Sequence, residues 1–358
     1  MDTESRLELI KQVGEEIVTE AELKELLQTK TKPVAYDGFE PSGQVHIAQG
    51  ILRAINVNKM LKAGIHFKMF AADWHAWANN KLEGNLEKIQ TCGDYLVEVW
   101  KAAGMDVENL EFVRSSDMVA GQEYWKTVIN IARAASLKRI VRCGQIMGRK
   151  EDEMLSASQI IYPCMQAADI FTLKADITQL GMDQRKVNML AREVGPKLGL
   201  WKPVVVSHHM LMGLGEPKTS IDDPTERAIA LKMSKSVPDS AIFMTDTEAD
   251  IKRKIGKAYC PAKITKENPV MEYAKHIIFE KFKELEIKRP EKFGGDVKIE
   301  SYENLAKVYS SGELHPADLK SAVAGKINEV VSPVRNHFEK NAKAKKLLEQ
   351  VKSYKVTR

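Results

Sequence analysis

The chain has 358 residues, of which 44% are hydrophobic and 29% charged, with a formal net charge of +5. That length allows two domains and a sizeable core, and so small a net charge does not by itself announce a polyanion partner. The four cysteines form no C-x-x-C pair and no zinc-spaced Cys/His cluster. Reduced thiols and no structural metal are therefore expected.

Along the chain, Leu7, Ile10, Val13 and Ile17 recur at helical spacing among acids and lysines, which predicts a helical arm over residues 1–30. From about 31 to 245, strand-like runs at 34–36, 67–72, 110–113 and 203–206, with a weaker one at 176–180, alternate with helical stretches. That alternation predicts a parallel sheet covered by helices, with ligands beyond the strand carboxyl ends. Past 245 the strand runs stop and Thr247–Tyr259, Met271–Leu285, Tyr302–Tyr309 and Pro316–Val331 read as helices, so 246–358 is expected to be a second, α-helical domain. It ends in a basic stretch from Arg335 to Arg358, which extends a nucleic-acid surface or is simply a solvated helix face. No apolar signal core opens the chain and no apolar run reaches membrane length, which makes a cytoplasmic, non-membrane protein the expectation.

Two segments carry the chemistry. After the strand Val34-Ala35-Tyr36, the residues Gly38, Pro41 and Gly43 break the chain before His46-Ile47-Ala48-Gln49 and a helix bearing Ile51, Ile55 and Met60. A helix start offers unpaired amides and a positive dipole end to a phosphate. Lys232-Met233-Ser234-Lys235-Ser236 is a loop with two cations and two hydroxyls, able to close on a polyphosphate. Neither a Walker loop nor a G-x-G-x-x-G fingerprint occurs, so a bound nucleotide falls to His46 and the two lysines.

A third stretch, Ser156 to Ile170, places Tyr162, Gln166 and Asp169 on one helix face among Ile161, Met165 and Ala168. Such a trio lines a small-molecule pocket or forms a polar stripe toward solvent. Pro163 kinks this helix or marks its first turn. Gln184, in Gly181-Met182-Asp183-Gln184-Arg185-Lys186, opens the next helix at a strand end and again faces the crevice.

Taken with Ala72-Asp73-Trp74-His75, the order and number of these motifs resemble the tyrosyl-tRNA synthetases of archaeal and eukaryotic type, class I aminoacyl-tRNA synthetases. The resemblance runs from about 34 to 331 and implies an α/β fold: a Rossmann-like parallel-sheet catalytic domain followed by an α-helical anticodon-binding domain, in a homodimer. It implies that Tyr36 and Asp169 reach the phenolic hydroxyl of L-tyrosine, while Tyr162, Gln166 and Gln184 take its amino and carboxyl end. Asp73 is a weaker candidate near the amino group, since an acid there equally caps a helix. A site built to bond a phenol rejects phenylalanine because its own groups are left unpaired, a rule for which tyrosine-selecting synthetases are themselves the reference case.

By the same resemblance, ATP comes with Mg²⁺ carried on its phosphates. Gly38, Glu40, His46 and Gln49 lie along the adenylate, Lys232, Met233, Ser234, Lys235 and Ser236 hold the phosphates, and His46, Lys232 and Lys235 act in catalysis. The usual H-I-G-H signature ends here in Ala48-Gln49, leaving one histidine. For tRNA(Tyr), Phe293 and Asp318 would read the first anticodon base, and Arg142 and Arg185 would approach the acceptor stem; core packing, helix capping and phosphate contact are the plainer readings. A fold retained for RNA binding without chemistry, or adenylation of another aromatic amino acid, are the rival functions. Retention of both nucleotide segments argues against the first, and the Tyr36/Asp169 pair against the second.

Overall fold

The computed structural model describes residues 1–147, 155–217, 221–235 and 237–355. A six-stranded sheet lies at its centre, built from β1 (Gly14–Val18), β2 (Val34–Phe39), β3 (His66–Ala71), β4 (Leu110–Arg114), β5 (Ile177–Thr178) and β6 (Val204–His208). The spatial order is β1-β6-β5-β2-β3-β4, parallel except for β1. The chain runs outward from β2 through β3 to β4, then returns to the other side of β2 to lay down β5 and β6. Such a reversal leaves a crevice between the carboxyl ends of β2 and β5.

Side chains alternate across each strand, so one strand feeds two cores. Ala35, Phe67 and Met69 join one buried cluster, and Tyr36 and Phe70 join the other. The first cluster continues without a break into Leu305, Val331 and Phe338 of the C-terminal helices. Helix Leu86–Ala102 carries that continuity, packing against Pro316–Lys340 and Ala342–Ser353.

Two expectations are corrected. The leading segment is not one helical arm: helices Thr3–Lys11 and Glu20–Thr29 flank β1, which pairs antiparallel with β6 from Gly14↔His208 to Val18↔Val205. Ile17, read as part of a helical stripe, instead faces Val206 across the ladder. Strands also do not stop at 245, because Leu285–Ile287 and Val297–Ile299 form an antiparallel pair, β7 and β8. The remaining C-terminal elements are helical, including Glu248–Lys257, Pro269–Tyr273, Tyr302–Ser311 and Pro316–Lys340. Among the described residues, no helix is long and apolar enough to cross a membrane.

Candidate functional site

The crevice at the β2/β5 switch is a cavity of about 690 Å³. It is lined from four directions: Tyr36 and Gly38 in β2, Tyr162, Gln166 and Asp169 on helix Ala157–Thr172, Asp183 and Gln184 after β5, and Lys232 to Lys235 above them. The polar trio thus faces the cavity, with Tyr162 and Asp169 buried among apolar neighbours. Ser156 caps this helix in a reciprocal box with Gln159, and Pro163 lies inside it, past the first turn.

At the deep end, Asp169 accepts a hydrogen bond from the Tyr124 hydroxyl at 3.0 Å, and its second oxygen lies 2.9 Å from His75 Nε2. The Tyr36 hydroxyl is buried without a protein partner. Burial and the charges of Asp169 and Asp37 push its pKa well above the usual phenol value, so it stays a neutral donor. A buried hydroxyl without a partner is costly unless a ligand supplies one.

Toward the mouth, Gln166 Nε2 donates to Gln184 Oε1 at 2.9 Å, leaving Gln166 Oε1 buried and unpaired. The Tyr162 hydroxyl donates to Glu40 at 2.7 Å, and Asn79 donates to the same carboxylate at 3.0 Å. Gly38 packs against the neighbouring strand, where an added Cβ would meet the Phe70 ring at 3.1 Å. Asp73 does not line the cavity: it accepts from Ser115 Oγ at 2.5 Å, Ser116 N at 3.0 Å and Trp74 N at 3.0 Å, tying the start of helix Asp73–Ala78 to the start of helix Ser115–Val119.

His46 is buried with Nδ1 unpaired, and its imidazole is neutral because burial, reinforced by Lys235 and Lys232, holds its pKa well below the ordinary value. Three of the amides expected to receive phosphate are already engaged: Ile47 N bonds to Ile242 O, while Gln49 N and Gly50 N bond to His46 O. The segment also carries a buried, unpaired side-chain acceptor, Oε1 of Gln49. Opposite, Lys232 Nζ meets Asp183 Oδ2 at 2.6 Å and Lys235 Nζ reaches Ser42 Oγ at 3.4 Å. Burial brings Lys235 down to about 8. Met233 is buried and anchors the loop, Ser234 stands between the lysines at the rim, and Ser236 lies outside the described residues.

The four positions expected to touch tRNA lie apart from the crevice lining. Phe293 is 60% exposed on a turn completed by Gly294 and Gly295, both with positive φ. Asp318 sits in the first turn of Pro316–Lys340, whose cap is His315, so capping does not account for it. Arg142 is exposed, while Arg185 pairs with Glu16 of β1 at 2.7 Å.

Sequence reading missed Asp183, His75 and Tyr124. The first two stand inside motifs already singled out; Tyr124 carries no local signal. It also missed a buried polar cluster in the crevice wall, in which Arg53 lies 3.1 Å from Asp37 and 2.6 Å from His208 Nδ1.

This geometry can be set beside known proteins. The sequence model of class I tRNA synthetases (W and Y) matches residues 28–332. A cytoplasmic tyrosine–tRNA ligase of Arabidopsis thaliana is 51% identical over all of this chain and 90% of its own length. The chain belongs to the tyrosyl-tRNA synthetase family. Among solved structures, the tyrosyl-tRNA synthetase of Pyrococcus horikoshii complexed with L-tyrosine superposes with a TM-score of 0.91 at 38% identity, covering 98% of this chain and all of that one. The Leishmania major synthetase in complex with tyrosinol gives 0.90 at 44% identity over 99% of this chain, which spans 61% of the Leishmania chain. Family membership of this kind fixes the Rossmann-like catalytic fold and the ligase class.

Proposed function

We propose that this synthetase activates L-tyrosine with ATP in the crevice between β2 and β5 and then transfers the tyrosyl group to the 3′ end of tRNA(Tyr). The observation that carries the site assignment is the buried, unpaired Tyr36 hydroxyl set beside Asp169 at the closed end of the cavity. Asp169 accepts from a substrate phenol, and Tyr36 donates to the phenol oxygen. An indole presents no oxygen there, and phenylalanine leaves the Tyr36 hydroxyl without a partner. Gln166, Gln184 and Tyr162 hold the amino and carboxyl end, where Gln166 Oε1 is free to accept from an ammonium.

Activation is in-line: a tyrosine carboxylate oxygen bonds to the α-phosphorus of ATP as the bond to the bridging oxygen breaks and pyrophosphate leaves. His46, neutral, donates a hydrogen bond to an α-phosphate oxygen, and Lys232 and Lys235 stabilise charge on the leaving pyrophosphate. Lys232 must exchange Asp183 for phosphate, so ATP opens an existing ion pair. Gly38, Glu40, Gln49, Met233, Ser234 and Ser236 complete the nucleotide's surroundings. The donor set fits a Mg²⁺ carried on the nucleotide, because the crevice carboxylates Asp183 and Glu40 already serve Lys232 and Tyr162. Bound there, the ion neutralises phosphate charge.

For the second step, residues 246–358 act as the anticodon-binding region following a catalytic region over 31–245. Exposed Phe293 stacks on an unpaired base and Asp318 accepts from a guanine edge. Arg142 and Arg185 approach the acceptor stem, Arg185 after leaving Glu16. A homodimer and a cytoplasmic location complete this reading; the Arabidopsis relative's cytoplasmic name supports the latter. The test is isolation of tyrosyl-adenylate from enzyme mixed with tyrosine and ATP, then its discharge onto tRNA. Failure of the first step refutes the site; failure of the second alone refutes the tRNA contacts.

A further inference from the structure

We infer that Glu272 is a positioning residue for Lys232, through which the C-terminal helices set the geometry of ATP activation; the inference rests on the role given above to Lys232. Glu272 stands on helix Pro269–Tyr273, outside the crevice lining. Its Oε2 takes the backbone N–H of Met212 at 3.0 Å and lies 3.1 Å from His209 Nε2. The other ring nitrogen, Nδ1, lies 3.2 Å from Glu15 of β1, and His276 stacks on the imidazole with centroids 4.2 Å apart. One imidazole thus clamps three segments distant in sequence: the edge strand, the turn after β6 and the C-terminal helices. Burial works against its cation, but the two carboxylates more than offset this and raise it to about 9. Both nitrogens can then donate, which only the cation allows.

From Met212 the path to the loop is a short antiparallel pairing. Met212 bridges Lys232, Gly213 N bonds to Leu231 O at 2.9 Å and Met233 N bonds to Leu211 O at 3.0 Å. Holding the Met212 amide therefore holds the backbone of Lys232, whose ammonium meets Asp183. Since Glu272 touches no group at the phenol end, its removal should disturb the ATP step and spare tyrosine binding. Because the route passes through Lys232, the effect should vanish once Lys232 is gone.

The experiment compares Glu272→Ala, Glu272→Gln, Lys232→Ala and the double variant Glu272→Ala/Lys232→Ala in the full chain. It measures ATP–pyrophosphate exchange and, separately, tyrosine Kd by fluorescence titration. Glu272→Ala is expected to lower kcat/KM for ATP about tenfold or more with tyrosine Kd within about twofold, and Glu272→Gln, which keeps an acceptor for Met212, to lose less. The double variant should be no more than about twofold worse than Lys232→Ala. Losses that multiply in the double variant, parallel loss of tyrosine binding, or full activity of Glu272→Ala would each overturn the inference. Should Lys232→Ala itself retain full exchange, the reading of the loop falls; with Lys232→Ala impaired and Glu272→Ala intact, only the positioning role falls. If Glu272→Ala does not fold, Glu272→Gln and its double with Lys232→Ala make the same comparison.

Discussion

His75 Nε2 lies 2.9 Å from Asp169 Oδ2, and both side chains are 1% exposed. Burial disfavours the His75 cation, yet the Asp169 carboxylate raises its pKa above the ordinary histidine value. Its ring is also held edge-on by Tyr162 at 5.2 Å and Phe70 at 5.8 Å. With Tyr124 on the other oxygen, the carboxylate is fixed in one orientation before any substrate arrives. Preorganisation of this kind is what lets a single acceptor discriminate.

Replacing Asp169 by Ala should therefore reduce preference for tyrosine over phenylalanine by about 10–100-fold, the worth of a buried hydrogen bond to a charged group. The check is the ratio of kcat/KM values in pyrophosphate exchange. Unchanged discrimination would remove Asp169 from the phenol-reading role.

Lys235→Ala should lower activation strongly while tyrosine still binds, since Lys235 lies at the rim beside Ser42. Burial places this ammonium at about 8, so it loses its proton as pH rises through that value. The kcat/KM for ATP should fall above about pH 8 while tyrosine Kd stays level. An equal pH-dependent loss of tyrosine binding would contradict the assignment.

His209 supplies a stability prediction. Its folded pKa is raised to about 9, so its contribution is fully present below the unfolded value of about 6.5 and is lost as pH rises through 9. Glu15, Glu272, His276 and Lys275 surround it, so the comparison must be with a His209→Gln variant. The wild-type advantage in urea midpoint should shrink between about pH 6.5 and 9. An advantage that grows with pH would have the wrong sign.

Arg53, 1% exposed, pairs with Asp37 and reaches Gln179 and His208. Arg53→Met leaves a buried carboxylate alone and should cost about 3–5 kcal/mol in denaturant unfolding. Burial outweighs Arg53 and already raises Asp37 to about 7, so protonation limits the loss. A cost below about 1 kcal/mol would mean that the cluster relaxes freely.

The parallel sheet, the crevice at its switch point and the face shared by Tyr162, Gln166 and Asp169 were legible because each is a local pattern: strand runs, breakers and a helical period. Gly14–Val18 was not, because Leu7, Ile10, Val13 and Ile17 satisfy a helical period while the segment is drawn into an antiparallel edge by β6. The short β7/β8 hairpin fell below the length at which alternation is readable. Tyr124 and the Arg53 cluster owe their roles to contacts 45 and 155 residues away in sequence, which no local window contains. The free amides expected after His46 were fewer than the local pattern suggests for a related reason: a neighbouring strand-like segment at Ile242 takes the Ile47 amide, and the turn entering Ala48–Leu52 folds Gln49 N and Gly50 N back onto His46 O.

The most direct test is amino-acid-dependent ATP–pyrophosphate exchange, without tRNA, with tyrosine, phenylalanine and tryptophan side by side. The account predicts exchange with tyrosine alone. Exchange with none of the three from well-folded protein, or with tryptophan or phenylalanine at a comparable rate, would contradict the crevice as a phenol-reading adenylation site.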